Sequence, residues 1–311
     1  MNALAERVGL QGPPFAVPLE AGKVAEFERA THARPGMGVI PPTFLFTAGP
    51  AWGYTLEHPR GTALAQAGMT GAMTLHGGYA VMFPDGPPRP GATLTARTRI
   101  AEATRKTGRR GGTLDIYVMA TRFEDAAGKL VAEERTTSIL PSAAPSGAAL
   151  DVTSAEARPV FDRDGGAALI ASIAPAGPDA LAVGTGPGPL TFPSLTLTEI
   201  VRYQGAALDL QPMHHDDAYA RRGGYPGCFS VGMLHLGALA SYGCAWLGAT
   251  TVCRIEARFE GRQWPGDRLT YTGAVERLDR QDGTSTVDLA LSCARQTGER
   301  TIAMTMTFAL S

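Results

Sequence analysis

Three residues in the second half of the chain have the types and spacing of an acid–base site beside a developing oxyanion. They are Asp209, His214 five residues later, and Gly232, which opens the longest uncharged apolar run in the sequence. A carboxylate and an imidazole can pass protons to and from water or an acidic carbon near neutral pH, and a glycine N–H at a helix start can donate to an oxygen gaining negative charge. All three lie between Tyr203 and Leu239, in YQGAALDLQPMHHDDAYARRGGYPGCFSVGMLHLGAL. Taken singly, Asp209 reads as a helix cap and His214 as a core histidine satisfied by backbone, so the acid–base reading rests on the set. The HHDD run from His214 to Asp217 also has the donor types of a zinc or iron site, but adjacent residues point apart and only part of the run can converge. His215 and Asp217 read as solvated. GCFSVG at Gly227 to Gly232 approaches a GxSxG hydrolase elbow around Ser230, yet Cys228 holds the first glycine position and His235 is the only histidine downstream. GTGPG at Gly184 to Gly188 has Pro187 inside it and reads as a turn, not a phosphate cradle.

The elements that must position these residues follow from composition and period. Val231 to Gly248 runs 18 residues without a charge, the lower limit for a membrane span, but it carries His235, Ser241, Tyr242 and four glycines. A helix buried on all sides fits it better. After it, RIEARFEGRQWPGDRLTYTGAVERL, TVDLALSCAR and RTIAMTMTFAL are separated by QDGTS and QTGE turns, the pattern of an antiparallel meander. A similar meander follows Leu75, through RPGATLTARTRI, TLDIYVMATRF and LVAEERTTSIL. Pro90-Gly91 before Leu94-Thr95 is echoed by Pro265-Gly266 before Leu269-Thr270, and Gly128 and Gly298 mark corresponding turns, which points to an internal duplication. The first half has nothing like DLQPMHHDD, and its histidines, His32, His58 and His76, are scattered. Chemistry is therefore expected in the second half, with the first shaping the pocket.

Before the first meander, a helix is expected over Ala21 to Ala33 between proline breaks, and another near Thr62 to Met69. Leu190 to Ile200 reads as extended. Residues 141–183 are rich in Pro, Ala, Gly and Ser and read as a linker, which divides the chain into 1–140, the linker, and 184–311. A length of 311 residues suits two domains or one duplicated unit. The net charge of −1 removes the electrostatic reason to expect nucleic acid or an anionic membrane as partner. Cys228, Cys244, Cys253 and Cys293 form no CxxC pair, and the N-terminus shows no secretory pattern, so reduced thiols and a cytoplasmic location are expected.

Tyr203, the run Asp209 to Asp216, Ala220, the GYPG loop at Gly224 to Gly227 and Val231-Gly232-Met233 together resemble the MaoC-like, (R)-specific enoyl-thioester hydratases of the hotdog fold. That family's pattern is an aromatic, DxNPxHxD, an alanine, and a small loop ending in HGM. The first half resembles the degenerate dehydratase-like domain that often precedes it, through PPTF (Pro41 to Phe44), LHGG (Leu75 to Gly78), Arg89 to Gly91 and AAGKLVAEERTTSIL. The resemblance implies an α+β double hotdog, two antiparallel sheets each wrapped on a central helix. It implies a hydro-lyase that reversibly hydrates a trans-2-enoyl thioester of CoA or acyl carrier protein to the (R)-3-hydroxyacyl thioester, without metal or redox cofactor and as a homodimer. On this pattern Asp209 and His214 hold the catalytic water, one taking its proton while the other passes a proton to C2. The Gly232 N–H meets the thioester oxygen, and Tyr203, Gln211, Tyr225, Ser230, Val231 and Met233 contact substrate. Gln211 stands for the family's asparagine, Val231 for its histidine, Ala207-Leu208 for a Ser-Gly pair, and Ala240 for a frequent helix serine. Arg105, Lys106, Arg109 and Arg110 form a basic hairpin, either a solvated tip or a contact for CoA phosphates or an acidic carrier. A hotdog thioesterase and a catalytically silent acyl-thioester-binding subunit are the competing readings, and the intact acid–imidazole pair favours the hydratase.

Overall fold

The computed structural model describes residues 4–52, 74–108, 112–142, 165–177, 180–281 and 283–310. Its first half runs β1 (Phe15–Pro18), α1 (Ala21–Ala30), α2 (Ala48–Trp52), β2 (Leu75–Met82), β3 (Thr93–Thr107), β4 (Thr113–Glu124) and β5 (Leu130–Pro141). After α3 (Gly165–Ala171) the second half runs β6 (Leu190–Thr191), α4 (Leu197–Ala207), α5 (Asp217–Arg222), α6 (Gly232–Leu247), β7 (Val252–Phe259), β8 (Leu269–Gln281), β9 (Thr284–Arg295) and β10 (Arg300–Leu310). The strands form one antiparallel sheet in the order β1-β3-β4-β5-β2-β7-β10-β9-β8-β6. The two expected antiparallel sheets, five strands each, are thus joined edge to edge through β2 and β7 into one sheet, where Ala80 lies opposite Glu256. This pairing leaves neither inner edge strand with bare N–H and C=O groups.

The strand order of one half mirrors the other, and the duplication extends to single hydrogen bonds. Leu19, ahead of α1, donates its N–H to Ala92 O at 2.8 Å and accepts from Gly91 N–H at 2.7 Å. Leu195, ahead of α4, does the same with Asp267 O at 2.8 Å and Gly266 N–H at 2.7 Å. Gly91 and Gly266 sit at φ 93 and 96, a left-handed turn that explains why both Pro-Gly pairs carry glycine. Just beyond α1 and α4 stand the only two described non-glycine residues at positive φ, His32 (55) and Leu208 (56). The two helices pack against each other with the Phe27 and Tyr203 rings 5.7 Å apart.

Helix α6 is the centre of the second half. Every residue from Met233 to Leu247 is buried, and the helix packs on β7, β8, β9 and β10. Small residues set how closely it approaches the sheet: a Cβ on Gly243 would lie 3.0 Å from Met306 Sδ and 3.1 Å from Leu291 Cδ1. Among the described residues no helix is long and apolar enough to cross a membrane.

Two sequence expectations give way. Only Leu190–Thr191 of the stretch read as extended is strand; a helix begins at Leu197, started by a capping box in which Glu199 N–H donates to Thr196 Oγ1 (3.2 Å) and Thr196 N–H donates to Glu199 Oε2 (2.8 Å). Within the stretch read as a surface linker, α3 and the residues after it pack inward: Ile170 and Ile173 are buried, Ala176 N–H donates to Trp246 O, and Arg34 Nη2 donates to Ile173 O. The apolar AALIASI run, outvoted by the surrounding small and polar residues, supplies that packing face. The helix expected near Thr62 to Met69, His58, and the hairpin residues Arg109 and Arg110 lie outside the described residues.

Candidate active site

The acid is placed by the end of a helix. As α4 stops, Leu208 takes a left-handed conformation and turns the chain so that half-buried Asp209 lines a cavity. Gln204, in the last turn of α4, pins the loop: its Nε2 donates to Asp209 O (2.8 Å) and Gln211 O (3.1 Å). Because the amide nitrogen serves those carbonyls, Gln204 Oε1 must accept, so His215 Nδ1 is the donor in the 2.8 Å bond between them. A 3₁₀ turn over Pro212–His214 then carries the imidazole inward, where it is buried.

The tautomer of His214 follows from its partner. Nδ1 lies 2.8 Å from Phe229 O, and since a carbonyl can only accept, Nδ1 carries the proton. Nε2 is then the atom free to take a proton. Burial lowers the pKa of His214, with the charge of Asp209 and the Phe229 bond opposing that shift, so the neutral imidazole prevails near pH 7. The rest of the HHDD run is scaffolding and not merely solvated. Asp216 caps α5 by accepting from Tyr219 N–H (2.9 Å), and Asp217 accepts from Cys228 N–H (2.7 Å), which ties down the GYPG loop. Among the described residues no three His, Cys, Asp or Glu side chains converge as metal ligands.

Gly232 supplies the third component. As the first residue of α6 its N–H has no acceptor within the helix, and Val231 at the N-cap offers no side-chain cap. A bare, positive helix end therefore meets the cavity. A Cβ on Gly232 would lie 3.0 Å from Phe259 Cδ1 and Cε1, so the close approach of that ring requires glycine here. The cavity measures about 250 Å³, and Asp209, Gln211, His214, Ser230, Val231 and Gly232 all line it.

Of the other sequence candidates, Tyr203, Met233 and Tyr225 fall outside the cavity, and Ser230 lines it with its hydroxyl already engaged. Tyr203 and Met233 are fully buried in the core and do not line the cavity. Tyr225 packs on Phe229 beneath Arg262. Ser230 Oγ is 2.7 Å from His235 Nε2, a buried imidazole whose pKa burial lowers to about 3. Arg105 is bound through Nε and Nη2 to Asp115 (2.6 and 2.8 Å), and Lys106 is exposed on β3; neither lines the cavity.

One site residue was not foreseen. His76, from the first half, lines the same cavity and lies within electrostatic reach of both Asp209 and His214. Burial lowers its pKa, Asp209 raises it and His214 lowers it further. A bulge at the start of β2 aims it there: His76 is opposite Ser138 and Gly78 opposite Thr137, leaving Gly77 unpaired. A Cβ on Gly77 would fall 2.6 Å from Ile139 Cδ1, so the bulge depends on that glycine. The Gly-Gly pair after His76 was the available signal for a bulge.

Comparison with known proteins bears on the two halves and on the fold. Residues 183–295 match the MaoC like domain, and residues 8–134 match the FAS1-like dehydratase domain region. No curated protein matches the chain. A solved MaoC-like dehydratase is 21% identical with a TM-score of 0.76, covering 99% of this chain and 100% of that one. A MaoC-like dehydratase from Phytophthora capsici is 16% identical, with a TM-score of 0.62 and 96% of each chain covered. A conserved hypothetical protein from Mycobacterium tuberculosis with a double hotdog fold is 13% identical, with a TM-score of 0.61, covering 97% of this chain and 96% of that one. The second half thus carries a MaoC-like domain and the first a FAS1-like dehydratase region, and the two are joined as an α+β double hotdog.

Proposed function

We propose that the chain catalyses the reversible addition of water to a trans-2-enoyl thioester, giving the (R)-3-hydroxyacyl thioester. The observation that carries this reading is that Asp209, His214 and the uncapped N-terminus of α6 at Gly232 line a single cavity. Water held between the carboxylate and the imidazole adds its oxygen to C3 while its proton passes to His214 Nε2, the nitrogen the Phe229 bond leaves free. Asp209 orients the water and balances the imidazolium charge, and the same proton is then delivered to C2. No net proton is consumed. As the C2 carbanion forms, its charge moves onto the thioester oxygen, where the Gly232 N–H and the helix dipole stabilise it.

Purified protein mixed with crotonyl-CoA should bleach the enoyl absorbance, and Asp209→Asn and His214→Ala should each lower kcat/KM by about 10²- to 10⁴-fold. Activity that survives both substitutions would sink the mechanism. Release of free thiol in place of hydration would assign the chain to the thioesterases. A panel of enoyl thioesters on CoA and on carrier protein then defines acyl length and carrier.

A further inference from the structure

The catalytic cavity carries a cation that the hydration mechanism does not use. Arg262 lines it on the loop between β7 and β8, with its guanidinium carbon 4.8 Å from the Tyr225 ring centroid and 5.4 Å from that of Phe229. Among the described residues no carboxylate pairs with Arg262. Glu260, two residues away, is taken by Arg300, whose Nε and Nη2 reach its two oxygens at 2.7 and 3.2 Å. Packing on aromatic faces holds the guanidinium in place without using its N–H donors, so those donors stay available on a residue that lines the cavity.

We propose that Arg262 is an anion subsite of the catalytic cavity, receiving a carboxylate or phosphate oxyanion carried by the thioester ligand. The inference rests on the thioester reading above and adds to it a charged group on the substrate. Geometry favours a position near the reacting carbons. The Phe229 ring that supports Arg262 also meets the His214 ring edge-on at 5.2 Å, and the Phe229 carbonyl fixes the His214 tautomer, so one aromatic residue separates the guanidinium from the imidazole. Trp264 backs Phe229 at 5.7 Å, and the turn carrying Trp264 is held in turn by Trp264 N–H to Asp267 (2.7 Å) and the buried Asp267–Arg295 pair. A planar fork at a fixed place suits bidentate contact with a carboxylate or phosphate. The oxyanion is either a carboxylate on the acyl group or a phosphate of the carrier.

Calorimetric binding of three saturated thioesters, which offer no double bond to hydrate, separates the cases: butanoyl-CoA, freshly prepared succinyl-CoA and S-butanoyl-pantetheine, each with wild type, Arg262→Gln and Arg262→Lys. A loss of about 10- to 100-fold in Arg262→Gln for succinyl-CoA alone supports the subsite and assigns it to an acyl carboxylate. The same loss for both CoA esters but not the pantetheine ester supports it and assigns it to a carrier phosphate. Arg262→Lys should recover only part of the loss in either case, because it restores the charge without the planar fork. Should Arg262→Gln fail to fold, salt titration of wild type decides: a preference for the anion-bearing ligand of the pair that shrinks as salt rises supports the subsite, and a salt-independent preference overturns it. Equal losses for all three ligands, no change for any, or no binding of any to wild type overturn the proposal. Arg262-dependent binding without crotonyl-CoA hydration would instead overturn the hydratase reading and leave the subsite standing.

Discussion

The ends of α1 and α4 present the same backbone with different chemistry. Each helix stops at a left-handed residue, His32 after α1 and Leu208 after α4, and four residues before each stands a buried polar side chain, Glu28 or Gln204. Past that point the halves part. Asp209 follows Leu208, whereas Ala33 follows His32; Gln204 spends its amide on the carbonyls of the acid loop, whereas Glu28 is raised in pKa by burial and serves the Gly36 backbone. One duplicated scaffold can thus hold a loop that lines a cavity or a filled core, and a few side chains decide which. The first half is not inert, because the bulge in β2 sends His76 across the β2–β7 seam into its neighbour's cavity.

After the acid–imidazole pair itself, the largest effect separating the halves should come from the helix start. Gly232→Ala places a Cβ 3.0 Å from the Phe259 ring and displaces the donor, so kcat for enoyl hydration should fall by roughly 10²-fold, with folding retained by circular dichroism. Unchanged kcat would remove Gly232 from the oxyanion role.

A second contrast is electrostatic. In the first half Val81 lies opposite Glu134, and at the matching register of the second half Ala257 lies opposite Met304. Burial raises Glu134 to about 7, opposed by the Tyr79 hydroxyl, which donates to Glu134 Oε2 at 3.0 Å. A raised carboxyl binds its proton more tightly folded than unfolded. Its contribution to stability is therefore complete below its ordinary value of 4.5 and lost as pH rises through about 7. Relative to Glu134→Gln, wild type should lose about 3 kcal/mol between pH 4.5 and pH 8, read from urea midpoints. Parallel curves for the two proteins would contradict the burial argument.

The cross-half contribution of His76 should be smaller. His76→Ala is expected to lower kcat/KM by about 10-fold and to move the lower limb of the pH–rate profile, because His76 shares the electrostatic environment of Asp209 and His214. A fall in rate with an unmoved profile would make His76 packing alone. The smallest effect distinguishes the two left-handed residues. Leu208→Gly should stabilise by about 1 kcal/mol by relieving the backbone, measured by thermal melting. His32→Gly should not, since the His32 ring stacks on Phe192 at 5.7 Å and that contact is lost.

Much of the second-half site was legible in the sequence because its chemistry is local. Asp209 and His214 share one loop, and Gly232 stands at the head of a long apolar stretch without a charge. The duplication was legible through the Pro-Gly turns, whose left-handed glycines recur with the same hydrogen bonds. What stayed hidden depends on contacts distant in sequence. His76 reaches the site only because β2 pairs with β7, and Arg262 becomes notable only once Tyr225 and Phe229 fold beneath it. The start of α4 was a different kind of miss, since Thr196 and Glu199 spell a capping box that the β-branched residues around it obscured. Likewise His215, Asp216 and Asp217 read as surface residues until their partners Gln204, Tyr219 and Cys228 are placed.

The central claim is that Asp209 and His214 act on one water as a unit, in the second half alone. Its most direct test is hydration of crotonyl-CoA by Asp209→Asn, His214→Ala and the double variant. The account predicts that each single variant loses about 10²- to 10⁴-fold and that the double variant is about as slow as the slower single one, because removing either partner already disables the pair. Losses that multiply in the double variant, or near-wild-type hydration by either single one, would contradict it.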